Sequence, residues 1–150
     1  MKENLLIGSD AFIKNISKKK FYILSFTYGL PMSIIGAIAC GVLMIFGKKP
    51  KKYGHCYYME IGEDWGGVEL GWFFIVNNGA SDFIKTHELG HGYQNACKYG
   101  WVMPFVVCIP SFTRYWWRKI MKKIGHPPKT GYYDIWFEKE ANEIGAEVIR

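Results

Sequence analysis

Residues 81–100 read SDFIKTHELGHGYQNACKYG, with Ser81 placed as a helix N-cap and Gly100 as a C-terminal stop, so a helix is expected from about Asp82 to Tyr99. At about 3.6 residues per turn, His87 and His91 fall one turn apart on one face, close enough for both imidazoles to bind one ion. Glu88 is rotated by about a quarter turn from His87, so its carboxylate borders such an ion without filling its coordination shell. Neutral imidazole nitrogen suits zinc. Zinc lowers the pKa of a bound water to about 7, and a carboxylate beside it is the natural general base for amide hydrolysis. Two histidines and a glutamate at these offsets arise by accident in about one chain of this length in a few hundred.

Upstream, CYYMEIGEDWGGVELGWFFIVNNGAS at 56–81 sets two β-prone runs on either side of a turn holding Asp64, Gly66 and Gly67. A β-hairpin is expected there, with Tyr57, Tyr58, Phe73 and Phe74 in its core. Further back, residues 21–47 (FYILSFTYGLPMSIIGAIACGVLMIFG) carry no charge and lie between Lys18, Lys19 and Lys20 on one side and Lys48 and Lys49 on the other. A bilayer crossing needs about 20 apolar residues, so the run is long enough for one transmembrane segment and too short for two. Pro31 is expected to kink or divide it. Lysines at both ends leave its orientation unassigned. The expected organisation is a basic N-terminal segment over 1–20, a transmembrane segment over 21–47 and a hydrolase domain over 48–150.

Composition agrees with a membrane-associated chain and excludes a large multidomain enzyme, since 150 residues carry a formal charge of +6 and 17% aromatic residues. An anionic surface or bilayer interface is the expected partner of that charge. Nucleic acid is not, because the lysines flank an apolar segment and no nucleic-acid motif is present. Cys40, Cys56, Cys97 and Cys108 form no CxxC pair and define neither a structural zinc site nor a disulfide scaffold.

Downstream, WVMPFVVCIP at 101–110 is apolar but short and holds two prolines. Ser111 is a plausible cap for a helix that carries Arg114, Tyr115, Trp116, Trp117 and Arg118 up to Gly125. A final helix is expected from about Asp134 to Val148. A catalytic zinc site needs three protein ligands, and GYQNACKYGW after His91 contains no further histidine, so the third ligand is expected to be a downstream carboxylate. Glu138, Glu140, Glu143, Glu147 and Asp134 are all candidates on spacing. Glu138 and Asn142 stand one turn apart on one face.

The chain resembles the gluzincin metallopeptidases, particularly the membrane zinc proteases of the CAAX-prenyl-protease and heat-shock-protease kind, through HELGH at 87–91 and EKEANEIGA at 138–146. The second block looks like that group's ExxAD motif, whose glutamate binds zinc and whose aspartate supports a histidine ligand. Carried over, the resemblance makes Glu138 the third ligand and puts Asn142 at the aspartate position. An amide there accepts a hydrogen bond from imidazole but lacks the charge that raises ligand basicity. Over WGGVELG, HELGHGYQN and IPSFTRYW through YDIWFE, the chain is also similar to small bacterial membrane proteins with an HExxH site. The implied fold is α+β, a minimal zincin-like catalytic domain made of a β-hairpin, an active-site helix and a C-terminal ligand helix, preceded by a transmembrane helix.

Hydrolysis also calls for donors that stabilise the oxyanion, and Arg114, His126, Tyr132 and Tyr133 lie between the two metal blocks; Arg114 and His126 are named as candidates. Arg114 and Arg118 also suit phospholipid headgroups beside Trp116 and Trp117. The expected function is a membrane-anchored, single-pass zinc metallopeptidase with Glu88 as base and a peptide or protein substrate. Two other classes fit the same motif: a non-enzymatic zinc-stabilised membrane or partner-binding protein, and an intramembrane site-2-type protease. Polar Lys85, Thr86, Gln94 and Asn95 around the motif oppose the last.

Overall fold

The fold is described from a computed structural model over residues 8–150; the first seven residues of the expected basic segment lie outside the described residues. Among the described residues, six α-helices and one four-stranded mixed sheet make an α+β architecture. The helices are α1 (Asp10–Lys14), α2 (Lys18–Ser25), α3 (Leu30–Ile45), α4 (Asp82–Gln94), α5 (Ile109–Lys123) and α6 (Trp136–Val148). The strands are β1 (Lys51–Tyr53), β2 (Cys56–Glu60), β3 (Gly67–Leu70) and β4 (Phe73–Val76).

Sheet order is β1-β2-β4-β3, with β2 and β4 parallel and both outer pairs antiparallel. The single hairpin expected over 56–76 is therefore replaced by a crossing. The turn with Asp64, Gly66 and Gly67 carries the chain from β2 past one strand position to β3, and the tight hairpin forms instead at Gly71, where φ is +75°. The reason is apolarity. Phe74, Ile75 and Val76 are all buried and suit a central strand, whereas β3 contains Gly67 and Glu69 and stays at the edge.

The apolar run at 21–47 divides as Pro31 suggests. Pro31 sits in the first turn of α3, where its missing N–H costs no helix bond, and residues 26–29 separate α3 from α2. The buried Asn95 side chain donates to the Gly29 carbonyl at 3.1 Å and holds the break. No single helix among the described residues is long and apolar enough to cross a membrane; α2 and α3 together reach that length and composition, with a bend of 93° between them. Phe12, Ile13, Ile16 and Phe21 pack in one buried cluster with Phe74, Leu89, Tyr93 and Ile144.

α4 begins at Ser81, whose hydroxyl accepts from the Ile84 N–H, and it runs on through a π-helical turn at Asn95–Tyr99 to Gly100, where φ is +52°. It crosses α6 at backbone contact. Gly90 lies against the Ala141 carbonyl and Gly145 against the Thr86 carbonyl, so neither position has room for a Cβ. Two glycines in mid-helix weaken the local helix preference by roughly 1 kcal/mol each. The close crossing they permit is what sets the site.

Candidate metal centre

The crossing of α4 and α6 brings Glu138 from the first turn of α6 to the face that His87 and His91 share. Glu138 Oε2 lies 3.0 Å from His87 Nε2 and 3.1 Å from His91 Nε2, and the two Nε2 atoms are 3.1 Å apart. All three side chains are buried, Glu138 completely. These atoms could together hold a metal ion. A tetrahedral ion with bonds of about 2.0–2.1 Å keeps its ligand atoms about 3.3 Å apart, close to the spacing observed. With both neutral rings protonated at Nδ1 toward Asn142 and Gln94, the two inner lone pairs face each other and the Glu138 carboxylate, an arrangement that a bound cation or a shared proton relieves. The donor set therefore fits a metal ion.

The outer nitrogen of each imidazole is engaged, which orients both inner lone pairs. His87 Nδ1–H donates to Asn142 Oδ1 at 2.9 Å, and His91 Nδ1–H donates to Gln94 Oε1 at 2.7 Å. Gln94 is fixed in turn, donating through Nε2 to the Phe137 carbonyl at 2.9 Å and to Glu140 Oε2 at 2.7 Å. Glu140 also receives Tyr99 Oη at 2.7 Å and pairs with Lys98. Burial would raise Glu140, but hydrogen bonds from Lys98, Tyr99 and Gln94 outweigh it and hold the carboxyl below its ordinary pKa. Glu138 follows the same rule. Burial opposes its charge, while His87, His91 and the Ser111 hydroxyl stabilise it and keep it well below the usual carboxylate range.

The other carboxylates named on spacing do not reach the histidines. Glu140 faces Gln94, Glu143 is exposed, Glu147 pairs with Lys14 at 3.0 Å near the surface, and Asp134 Oδ2 accepts from the Gly131 N–H at 2.5 Å.

Glu88 is buried beside the triad, and its carboxylate fills the space where a Cβ on Gly67 would lie, 2.7 Å from Oε1. Its pKa is pushed up to about 7, mainly by burial; His87 and the Glu69 backbone N–H oppose the shift and the Glu138 charge adds to it. A divalent cation at the triad would draw it down again. Glu69, on the edge strand, brings a second buried carboxyl to the same wall. Its Oε1 accepts from the Gly71 N–H and its Oε2 has no protein partner. Burial raises its pKa well above the ordinary carboxylate value, with Glu88 adding to the shift and the Gly71 N–H opposing it.

These groups open on one cavity of about 1240 Å³, lined on the polar side by Glu69, His87, Glu88, His91 and Glu138 and on the apolar side by Met32, Met103, Val107 and Phe112. Tyr133 lines it too, with its ring 4.9 Å from that of His87. The structure does not bring Arg114 or His126 to this cavity. Arg114 donates to the Tyr132 and Gly131 carbonyls at 3.2 and 2.7 Å, clamping the loop that leads into α6, and His126 is exposed beyond the end of α5. Ser111 is not a cap, because the helical turn at Pro104–Cys108 runs straight into α5; its hydroxyl instead bonds Glu138 and, at 2.6 Å, Tyr132 Oη.

Sequence reasoning missed Gln94, Glu69 and the Ser111 contact. Gln94 had a readable signal, being three residues after His91 on the same helix face. Glu69 had a weaker one, a lone acid inside an apolar strand. Nothing local marks Ser111. Comparison of the chain with protein-family models, with curated proteins and with solved structures gives no match.

Proposed function

We propose that the chain is a membrane-anchored zinc metallopeptidase. The observation that carries this reading is the convergence of His87 Nε2, His91 Nε2 and Glu138 Oε2 within 3.0–3.1 Å of one another, beside a buried glutamate and open to a large cavity. A purely structural zinc site closes all four positions with protein ligands and needs no neighbouring carboxylate. Here Glu88 occupies that neighbouring position.

Zinc, when bound, supplies Lewis acidity that polarises a carbonyl and acidifies a water. The chain's own residues do the rest. His87 and His91 present oriented lone pairs because Asn142 and Gln94 accept their outer protons. Glu88, buried beside the triad, takes a proton from the attacking water and returns it to the leaving amine. We assign Tyr133, at the cavity wall beside His87, as the donor to the carbonyl oxygen as negative charge develops there. The cavity exceeds the roughly 300–1,000 Å³ of small-molecule sites, in keeping with an extended substrate such as a peptide. The apolar α2–α3 pair supports the membrane half of the reading.

The test is metal analysis and hydrolysis of a fluorescence-quenched peptide library by the full chain in detergent, with and without Glu88→Gln. Zinc retained with hydrolysis lost in the variant is the expected result. Zinc in both with hydrolysis in neither would transfer the site to the zinc-stabilised, non-enzymatic class, and no metal in either would end the proposal.

A further inference from the structure

α5 is built inside out. None of its residues is buried, although it carries Ile109, Phe112, Trp116, Ile120 and, just past its end, Ile124. At about 100° per residue these five fall in one sector of the helix, and Ser111, Arg118 and Lys122 fall in the opposite sector. A helix of a water-soluble domain turns the apolar sector inward. In α5 the polar sector makes the hydrogen bonds to the rest of the chain, Ser111 to Glu138 and Arg118 to the Thr130 carbonyl at 2.6 Å. Both sectors line the open cavity, Ser111, Arg118 and Lys122 on one side and Ile109, Phe112 and Trp116 on the other. The apolar sector stays exposed, Phe112 by 67%, Trp116 by 45% and Ile120 by 56%.

α3 also lines the cavity, through Met32 and Ile35, and leaves Ile34, Ile38 and Val42 exposed. The cavity is therefore lined by two helices that both leave apolar side chains exposed. Lys119 borders the apolar sector of α5, and Lys123 falls within it in the last turn of the helix. Long lysines beside a tryptophan and isoleucine face match an interfacial helix, whose apolar side enters the acyl region while ammonium groups reach lipid phosphates.

We propose that α5 lies in the surface of an anionic lipid bilayer, with Phe112, Trp116 and Ile120 among the acyl chains and Lys119 and Lys123 at the phosphates. The charge of +6 and the basic border select an anionic lipid surface over a second copy of this chain, which would bring the same lysines together. The cavity mouth is thereby held at the membrane. This inference rests on the membrane half of the function proposed above and not on its metal chemistry.

The experiment reconstitutes the full chain in phosphatidylcholine–phosphatidylglycerol vesicles whose acyl chains are brominated at mid-depth, and reads tryptophan quenching. Trp116 and Trp117 are two of the chain's six tryptophans, so the chain is compared with the Trp116→Phe, Trp117→Phe double variant. The expected result is that the lipid-quenched part of the emission falls by more than half in the double variant. Ile120→Glu, which alters an exposed side chain, is expected to reduce quenching of Trp116 and Trp117, as is exchange of phosphatidylglycerol for phosphatidylcholine. Equal quenching in the parent and the double variant overturns the proposal while leaving an anchor through α3 standing. No association with vesicles overturns both. Trp116 unquenched by lipid but shielded from aqueous iodide in a dimeric chain assigns the face to a second copy and overturns the proposal as well.

Discussion

Gly90 on α4 lies directly beneath the backbone carbonyl of Ala141 on α6, with no space for a Cβ between the two helices. The contact fixes how far Glu138, one turn before Ala141, projects toward His87 and His91. Gly90→Ala forces a methyl group against backbone that cannot move aside, and overpacking of this kind costs about 1–3 kcal/mol. The expected outcome is a lowered denaturation midpoint together with reduced zinc stoichiometry, read by chemical unfolding and metal analysis on the same sample. A variant with unchanged midpoint and full zinc would show that the crossing tolerates separation.

Gln94 is expected to matter to metal affinity although it touches no metal. It accepts from His91 Nδ1–H and is itself held by Glu140. Gln94→Leu removes that acceptor, and loss of such a partner lowers metal affinity by about 10–100-fold. Glu140→Gln acts one bond further out and is expected to lower affinity by less, whereas Glu138→Gln removes a donor of the triad and is expected to abolish tight binding. Competition titration with a chromophoric zinc chelator ranks the three.

Gly67 is expected to control catalysis through Glu88. A Cβ at Gly67 would meet Glu88 at Cγ and Cδ as well as at Oε1, so Gly67→Ala displaces the whole carboxyl group. Zinc content should stay near the parent value while hydrolysis falls by about 10²-fold or more, the usual scale for a misplaced general base. Equal activity in the two chains would remove Glu88 from the base role at its observed position.

Glu69 gives a pH signature. Its folded-state pKa is raised above the unfolded value by burial, so the folded chain holds a proton that the unfolded chain releases. No contribution exists below the ordinary carboxylate pKa, where both states are protonated. Above it, stability is lost as pH rises toward the folded pKa, by up to about 1.4 kcal/mol per pH unit. Glu69→Gln cannot ionise. Its stability relative to the parent is expected to increase from pH 5 to pH 7 in guanidinium unfolding of the metal-free chain, and parallel pH dependences would contradict a buried neutral acid.

Much of the site could be read locally because helical periodicity is local. His87, Glu88 and His91 occupy one turn of one element, and Ser81 and Gly100 mark its ends by their own backbone and hydroxyl chemistry. Strand order was not legible, since β2, β3 and β4 are each short and apolar enough to pair in several ways. The choice depends on Phe74, Ile75 and Val76 finding a covered position while Glu69 takes the edge, which is a property of the assembled core. Ser111, read as a cap, became a partner of Glu138 for the same reason: its contact lies 27 residues away.

The sequence by itself determined a helix with two imidazoles and a carboxylate on adjoining faces, and an apolar run divided near Pro31. Only the tertiary structure decided which of five downstream acids meets the histidines, because that depends on the angle and closeness of α4 against α6 at Gly90 and Gly145. It also decided that α5 bonds the site through its polar side, at Ser111, and leaves its apolar side exposed. Periodicity shows that a helix has two faces. What packs against it decides which face is inside.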